Sequence, residues 1–127
     1  LALPLPAAAQ TGQAARSDER IDGVGVIDRL DAAALRAGQV HRFWFRAGDT
    51  ALGQSWLVPV AVIRGARPGP RLLLTAGIHG DELNGIAVIH RLARDVDPAQ
   101  LSGTLVMVPG LNTPGLNNST PMRCGTG

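Results

Sequence analysis

The sequence predicts an α/β domain, and three observations carry that prediction. Two apolar runs, residues 71–76 and 104–108, flank a segment with helical periodicity, the layout of a β-α-β unit. Shorter apolar or alternating stretches upstream, parted by glycine and proline, read as further strands. The chain has 127 residues, 45% of them hydrophobic, which is about one globular domain. Only Phe43, Trp44, Phe45 and Trp56 are aromatic, so the core must be packed from Val, Ile, Leu and Ala.

The first ten residues are apolar and end in Ala7-Ala8-Ala9-Gln10, a small-residue run of the kind that precedes signal cleavage. They read either as the tail of a secretory signal, which implies a periplasmic or secreted protein, or as an unstructured Ala/Pro leader. Residues 11–20 are polar and are expected to be unstructured, so 1–20 form a leader. Gly23-Val24-Gly25-Val26-Ile27 predicts a short strand, followed by a turn or a single helical turn through residues 32–35.

Residues 40–46 alternate, with His41, Phe43 and Phe45 on one side and Arg42, Trp44 and Arg46 on the other; Gly48-Asp49 ends that strand. Residues 56–63 predict the next strand, and Pro59 within it favours an edge position or a bulge because proline donates no ladder hydrogen bond. Residues 65–70, rich in Gly and Pro, form a turn. The run 71–76, apolar after Arg71, is expected to be a strand buried on both faces.

A helix is predicted over residues 82–94, with Leu83, Ile86, Ala87, Ile89 and Ala93 as its apolar face and Asn84 and Arg91 on the solvated arc. Asp81 suits the N-cap and Asp97-Pro98 closes the element. With the strand at 104–108, residues 71–108 make one β-α-β unit whose crossover should be right-handed. The tail from Pro109 reads as loop, and no internal repeat is visible.

Composition narrows the function. No apolar run reaches the roughly 18 residues that a membrane span needs. The net charge is +2, and the basic residues, all arginine, are scattered, so no phosphate-tracking surface for nucleic acid is expected. Cys124 stands alone, which excludes a disulfide framework and a cysteine-based zinc site. Any zinc must be held by histidine and carboxylate.

Such a pair stands at the end of the 71–76 strand, in Gly77-Ile78-His79-Gly80-Asp81-Glu82. Zinc accepts imidazole nitrogen and carboxylate oxygen at about 2.0–2.2 Å, and a catalytic site takes three protein ligands and leaves one position open. His79 and Glu82 can supply two, on a loop that Gly77 and Gly80 allow to bend tightly. In the competing reading, His79 is a plain loop histidine and Asp81 and Glu82 only favour the positive end of the helix dipole. The strand-end location, where open α/β sheets place ligand chemistry, favours the metal. His90 lies eight residues past Glu82, about 12 Å along a helix, so it cannot close the same site and reads as a packed or hydrogen-bonded histidine. His41 is sterically possible, but nothing points to it. The third ligand is not expected within this chain.

The stretch from Thr75 through His79-Gly80-Asp81-Glu82 to Ile86 resembles the first metal-binding motif of the succinylglutamate desuccinylase/aspartoacylase family, relatives of the zinc carboxypeptidases. The resemblance spans residues from about 23 to 120. It takes in residues 42–46, 56–65, the Pro68-Gly69-Pro70 turn, the 105–108 strand and Asn112-Thr113-Pro114-Gly115, which is similar to the family's Asn-x-Pro-Gly segment. It implies a three-layer, zinc carboxypeptidase-like α/β fold with a mixed β-sheet, incomplete at the C-terminus, with residues 21–120 as the N-terminal half of a catalytic domain. It further implies that His79 and Glu82 are zinc ligands and that a relative of full length hydrolyses an amide or ester bond of a small N-acylated amino-acid-like substrate. Water on the zinc would attack the acyl carbonyl, a later glutamate would act as general base, and arginine would hold the substrate carboxylate.

The chain departs from the family pattern after Asn-x-Pro-Gly. An Asp-x-Asn-Arg motif, a later histidine and the general-base glutamate are not found, and residues 121–127 form a non-matching tail in which Arg123 is given no role. The expectation is therefore a fragment of a deacylase that is inactive alone, binds one zinc ion poorly and aggregates. A non-catalytic α/β binding module and a peptide-cleaving metallocarboxypeptidase are the rival readings.

Overall fold

Strands β1 (Arg16–Ile21), β2 (Val24–Ile27), β3 (Gln39–Asp49), β4 (Ser55–Arg64), β5 (Arg67–Thr75) and β6 (Ser102–Val108) hydrogen-bond into one sheet, in the order β1-β2-β3-β4-β6-β5. This computed structural model describes residues 16–79 and 82–118. Helix α1 (Asn84–Asp95) links β5 to β6, and α2 (Thr113–Asn118) follows β6. The sheet is mixed, as expected. The β2–β3 and β5–β6 pairs are parallel, and β1–β2, β3–β4 and β4–β6 are antiparallel. Residues 71–108 do form a β-α-β unit, because β5 and β6 are parallel neighbours with α1 between them.

The alternation of β4 divides the core between the two faces of the sheet. Val58, Val60 and Val62 pack with Ile27, Leu35, Phe43 and Val108, while Ala61 and Ile63 pack with Ala76, Ile89 and Met107. Ile86, Leu92, Ala93 and Val96 of α1 and its C-terminal end join the second cluster, and Leu30 and Ala32 from the β2–β3 connection join the first. That connection is tied to the sheet by Arg64, whose guanidinium donates to the carbonyls of both Ala33 and Leu35.

Several expectations are corrected, among them the 65–70 turn, whose residues 67–70 belong to β5. Residues 16–20 are not unstructured: β1 forms a hairpin with β2. Asp22 and Gly23 both take positive φ (51° and 79°), as a two-residue hairpin turn of the Asp-Gly kind requires. Arg46 on β3 then anchors the hairpin through ion pairs to Glu19 and Asp28.

Pro59 is not on an edge strand, since β4 lies between β3 and β6. The β4–β6 ladder, however, stops at Ala61↔Met107, so Pro59 sits where β4 pairs only with β3, opposite Trp44. A proline there costs no bond to β6.

Strand β5 is not buried on both faces. It is the outermost strand of the described sheet, with Leu72 52% and Leu73 61% exposed. Apolar side chains on an unpaired edge are a template for association. The chain is therefore expected to self-associate in sedimentation velocity, and Leu73→Lys to shift the population toward monomer.

Helix α1 begins two residues later than predicted, at Asn84. Leu83 occupies the N-cap without a side-chain cap bond, and Asp81, expected there, lies outside the described residues. The helix buries Ile89 and partly buries Ile86, Leu92 and Ala93, whereas Leu83 and Ala87 are exposed. Asn84 and Arg91 are solvent-facing as predicted.

The tail after Pro109 is not all loop, because residues 113–118 form α2. The Asn112 side chain accepts the Gly115 N–H at 3.0 Å and the Asn112 carbonyl accepts the Leu116 N–H at 3.0 Å, which organises that turn. Residues 1–15 and 119–127 lie outside the described residues, and with them the leader reading and the 121–127 tail. No described helix is long and apolar enough to cross a membrane.

Candidate metal centre

The chain leaving β5 stays latched to the chain leaving β6. Ala76 N–H donates to the Val108 carbonyl (3.0 Å), Leu111 N–H to the Ala76 carbonyl (2.9 Å) and Asn112 N–H to the Gly77 carbonyl (2.9 Å). Gly77 carries φ of 68°, a conformation that costs glycine little. A Cβ there would lie 3.1 Å from Ile86 Cδ1 and 3.2 Å from Leu116 Cδ1, so both helices close on this point.

Beyond Gly77 the backbone turns outward. The Asn112 Nδ2 donates to the Ile78 carbonyl at 3.0 Å, and the Glu82 N–H donates to the His79 carbonyl at 3.3 Å. That second bond links the backbones of His79 and Glu82 just past the C-terminal end of β5. Both residues are exposed, and no ion pair or side-chain hydrogen bond among the described residues engages either. Gly80 and Asp81 between them lie outside the described residues.

The donor set fits zinc in kind, one imidazole and one carboxylate at a strand end. It is short in number: among the described residues no group of three or more His, Cys, Asp or Glu side chains gathers. His41 is engaged elsewhere, with Nε2 2.9 Å from the Arg36 carbonyl and its ring stacked on Phe43 at 6.4 Å between centroids. His90 is exposed on α1, where packing or hydrogen bonding was expected. With Arg42, Trp44 and Arg94 it borders a groove of about 190 Å³ between α1 and the sheet, which includes neither His79 nor Glu82.

Asn112 is the residue at this site that sequence reasoning leaves without a role. It stands 34 positions from Ile78, and only the parallel β5–β6 pairing makes the two neighbours.

Residues 68–124 match the family model of the succinylglutamate desuccinylase/aspartoacylase catalytic domain. The fold agrees: the crystal structure of a succinylglutamate desuccinylase/aspartoacylase from Rhodobacter sphaeroides superposes with a TM-score of 0.61 and 31% identity, over 72% of this chain and 27% of that one. Residues 68–124 thus match the succinylglutamate desuccinylase/aspartoacylase catalytic domain, and the fold is similar to that of its members. An aspartoacylase family protein from Mesorhizobium loti, 27% identical, superposes with a TM-score of 0.60 over 76% of this chain and 30% of that one. The N-alpha-acetyl-L-2,4-diaminobutyric acid deacetylase of Halomonas elongata is 38% identical over 68 residues, 54% of this chain and 20% of the relative. The chain thus spans a fifth of that relative's length and less than a third of each of the two structures. What it matches is the N-terminal part of the catalytic domain, in a family of deacylating hydrolases with a zinc carboxypeptidase-like fold.

Proposed function

We propose that this segment contributes His79 and Glu82 to the zinc site of a hydrolase that cleaves an amide or ester bond of a small N-acylated amino-acid-like molecule. The observation that carries the reading is the turn at the end of β5, which joins the two residues by the Glu82 N–H to His79 carbonyl bond and leaves both side chains open to solvent. The Halomonas relative, a deacetylase of an N-acetylated diamino acid, supports the substrate class.

Bound zinc supplies Lewis acidity for an acyl carbonyl and activates water near neutral pH. This chain's residues contribute the rest: His79 and Glu82 would hold two coordination positions, Asn112 and Gly77 shape the backbone ahead of them, and the exposure of both side chains leaves the approach open. The third ligand and the general base come from outside the described residues. With two ligands alone the site binds zinc weakly, and the 127-residue chain is inactive by itself. Export to the periplasm belongs to the same reading and rests on the apolar leader ending in Ala7-Ala8-Ala9.

The test is His79→Ala in a polypeptide that carries this segment at the length of its relatives. Zinc and deacylase activity toward N-acetylated diamino acids are expected to disappear together. A polypeptide that shows no deacylase activity even with His79 in place, and whose binding function is unchanged by the substitution, would instead favour a module that keeps the fold without the chemistry.

A further inference from the structure

We propose that Asn112 is a positioning residue for the candidate zinc site, fixing the backbone immediately ahead of His79; this rests on the reading of His79 and Glu82 as ligands. Two consecutive carbonyls before His79 are held by this one residue. The Gly77 carbonyl accepts the Asn112 backbone N–H at 2.9 Å, and the Ile78 carbonyl accepts the Asn112 Nδ2 at 3.0 Å.

The side chain is itself aimed by a second bond, because its Oδ1 accepts the Gly115 N–H at 3.0 Å. A carboxamide suits this role, since it offers a donor and an acceptor on separate atoms of one short stem, whereas an ionised aspartate only accepts. Gly115 is part of the same device. A Cβ at that position would lie 2.5 Å from Nδ2, 2.9 Å from Cγ and 3.0 Å from Oδ1 of Asn112, so any larger residue displaces the amide. The spacing Asn112-Thr113-Pro114-Gly115 is thereby explained as an amide clamp with the space its own turn requires.

A metal site built from one short turn depends on that turn being ordered before the metal arrives, and partners outside the ligand shell typically change metal affinity by about 10–100-fold. Asn112 acts on His79 from behind, through the backbone, and touches neither metal nor substrate.

Three variants of the chain separate this role from general stability. Asn112→Asp keeps the acceptor for Gly115 N–H and loses the donor to Ile78, Gly115→Ala expels the amide, and Asn112→Ala removes both arms. Amide hydrogen exchange by NMR is read at Glu82, whose N–H closes the His79 turn, against Ile63 and Met107 in the core, and Zn²⁺ affinity is read by calorimetric titration. Asn112→Asp and Gly115→Ala are expected to speed exchange at Glu82 about tenfold with the core amides unchanged, and to weaken Zn²⁺ binding by roughly 10-fold. Unchanged exchange at Glu82 in Asn112→Asp overturns the proposal, as does Zn²⁺ affinity equal to that of the unmodified chain. If the unmodified chain binds no Zn²⁺ through His79, the zinc reading fails instead, and the exchange data alone decide whether Asn112 fixes the turn.

Discussion

His79→Ala is expected to lower the Zn²⁺ affinity of the chain by more than about a hundredfold, beyond the 10–100-fold typical of losing an outer partner of a metal ligand. The imidazole is the only nitrogen donor at the turn, because His41 is held against Arg36 and Phe43 and His90 stands on α1 beside a groove that does not include the site. No other described side chain is placed to replace it, and the remaining carboxylate of Glu82 holds zinc poorly alone. The substitution should leave the fold intact. His79 is exposed and makes no side-chain contact on which the core depends, so the urea midpoint is expected to move little, as for other surface changes. Co²⁺ titration followed by visible absorption reads the metal arm, and urea unfolding reads the fold.

Ile63→Ala is expected to destabilise the chain by about 2–5 kcal/mol, the range for removing a large aliphatic side chain from a packed core. Ile63 is fully buried on β4, facing the cluster formed with Ala61, Ala76, Ile89 and Met107 under α1. With few aromatics in the sequence, that cluster rests on aliphatic contacts, so a cavity at its centre removes contacts that no ring nearby can reach over to fill. A domain of this size commonly has only about 5–15 kcal/mol in total, so the variant approaches the threshold of unfolding. Leu52→Ala is the control: Leu52 is 87% exposed, and its removal should change stability by no more than about 0.5 kcal/mol. Equal effects for the two would mean that the sheet does not pack as described.

Much of this architecture was legible from residue patterns. The alternation in β3 put Phe43 and Phe45 on one side as predicted, where Phe43 is buried in the core and Phe45 packs against it, and the run from 104 to 108 lies within β6. The β-α-β unit follows from two apolar runs around a helical period. The errors have physical causes. Strand β1 was hidden because its signal is the Asp22-Gly23 turn and not its polar residues, which depend on Arg46 from a distant strand. Strand β5 reads as buried because an apolar run marks a strand that expects neighbours, whereas in the described sheet it has a partner on one side only. Helix α1 starts late because Glu82 is used to close the His79 turn before the helix begins.

The candidate site was legible in its ligands and not in its support. His79 and Glu82 are three residues apart, so a local motif shows them, and the family match over residues 68–124 covers them. Asn112 and Gly115 act from the far side of the β-α-β unit. Their relation to Ile78 exists only after β5 and β6 pair in parallel register, which no local pattern encodes.

The most direct test of the central claim is zinc-edge X-ray absorption on the zinc-loaded chain beside its His79→Ala and Glu82→Ala variants. The expected spectrum shows nitrogen and oxygen donors at about 2.0–2.2 Å with the multiple scattering of a single imidazole, which His79→Ala abolishes. A sulfur shell, or an imidazole signature that persists without His79, would contradict the assignment of this turn as the zinc site.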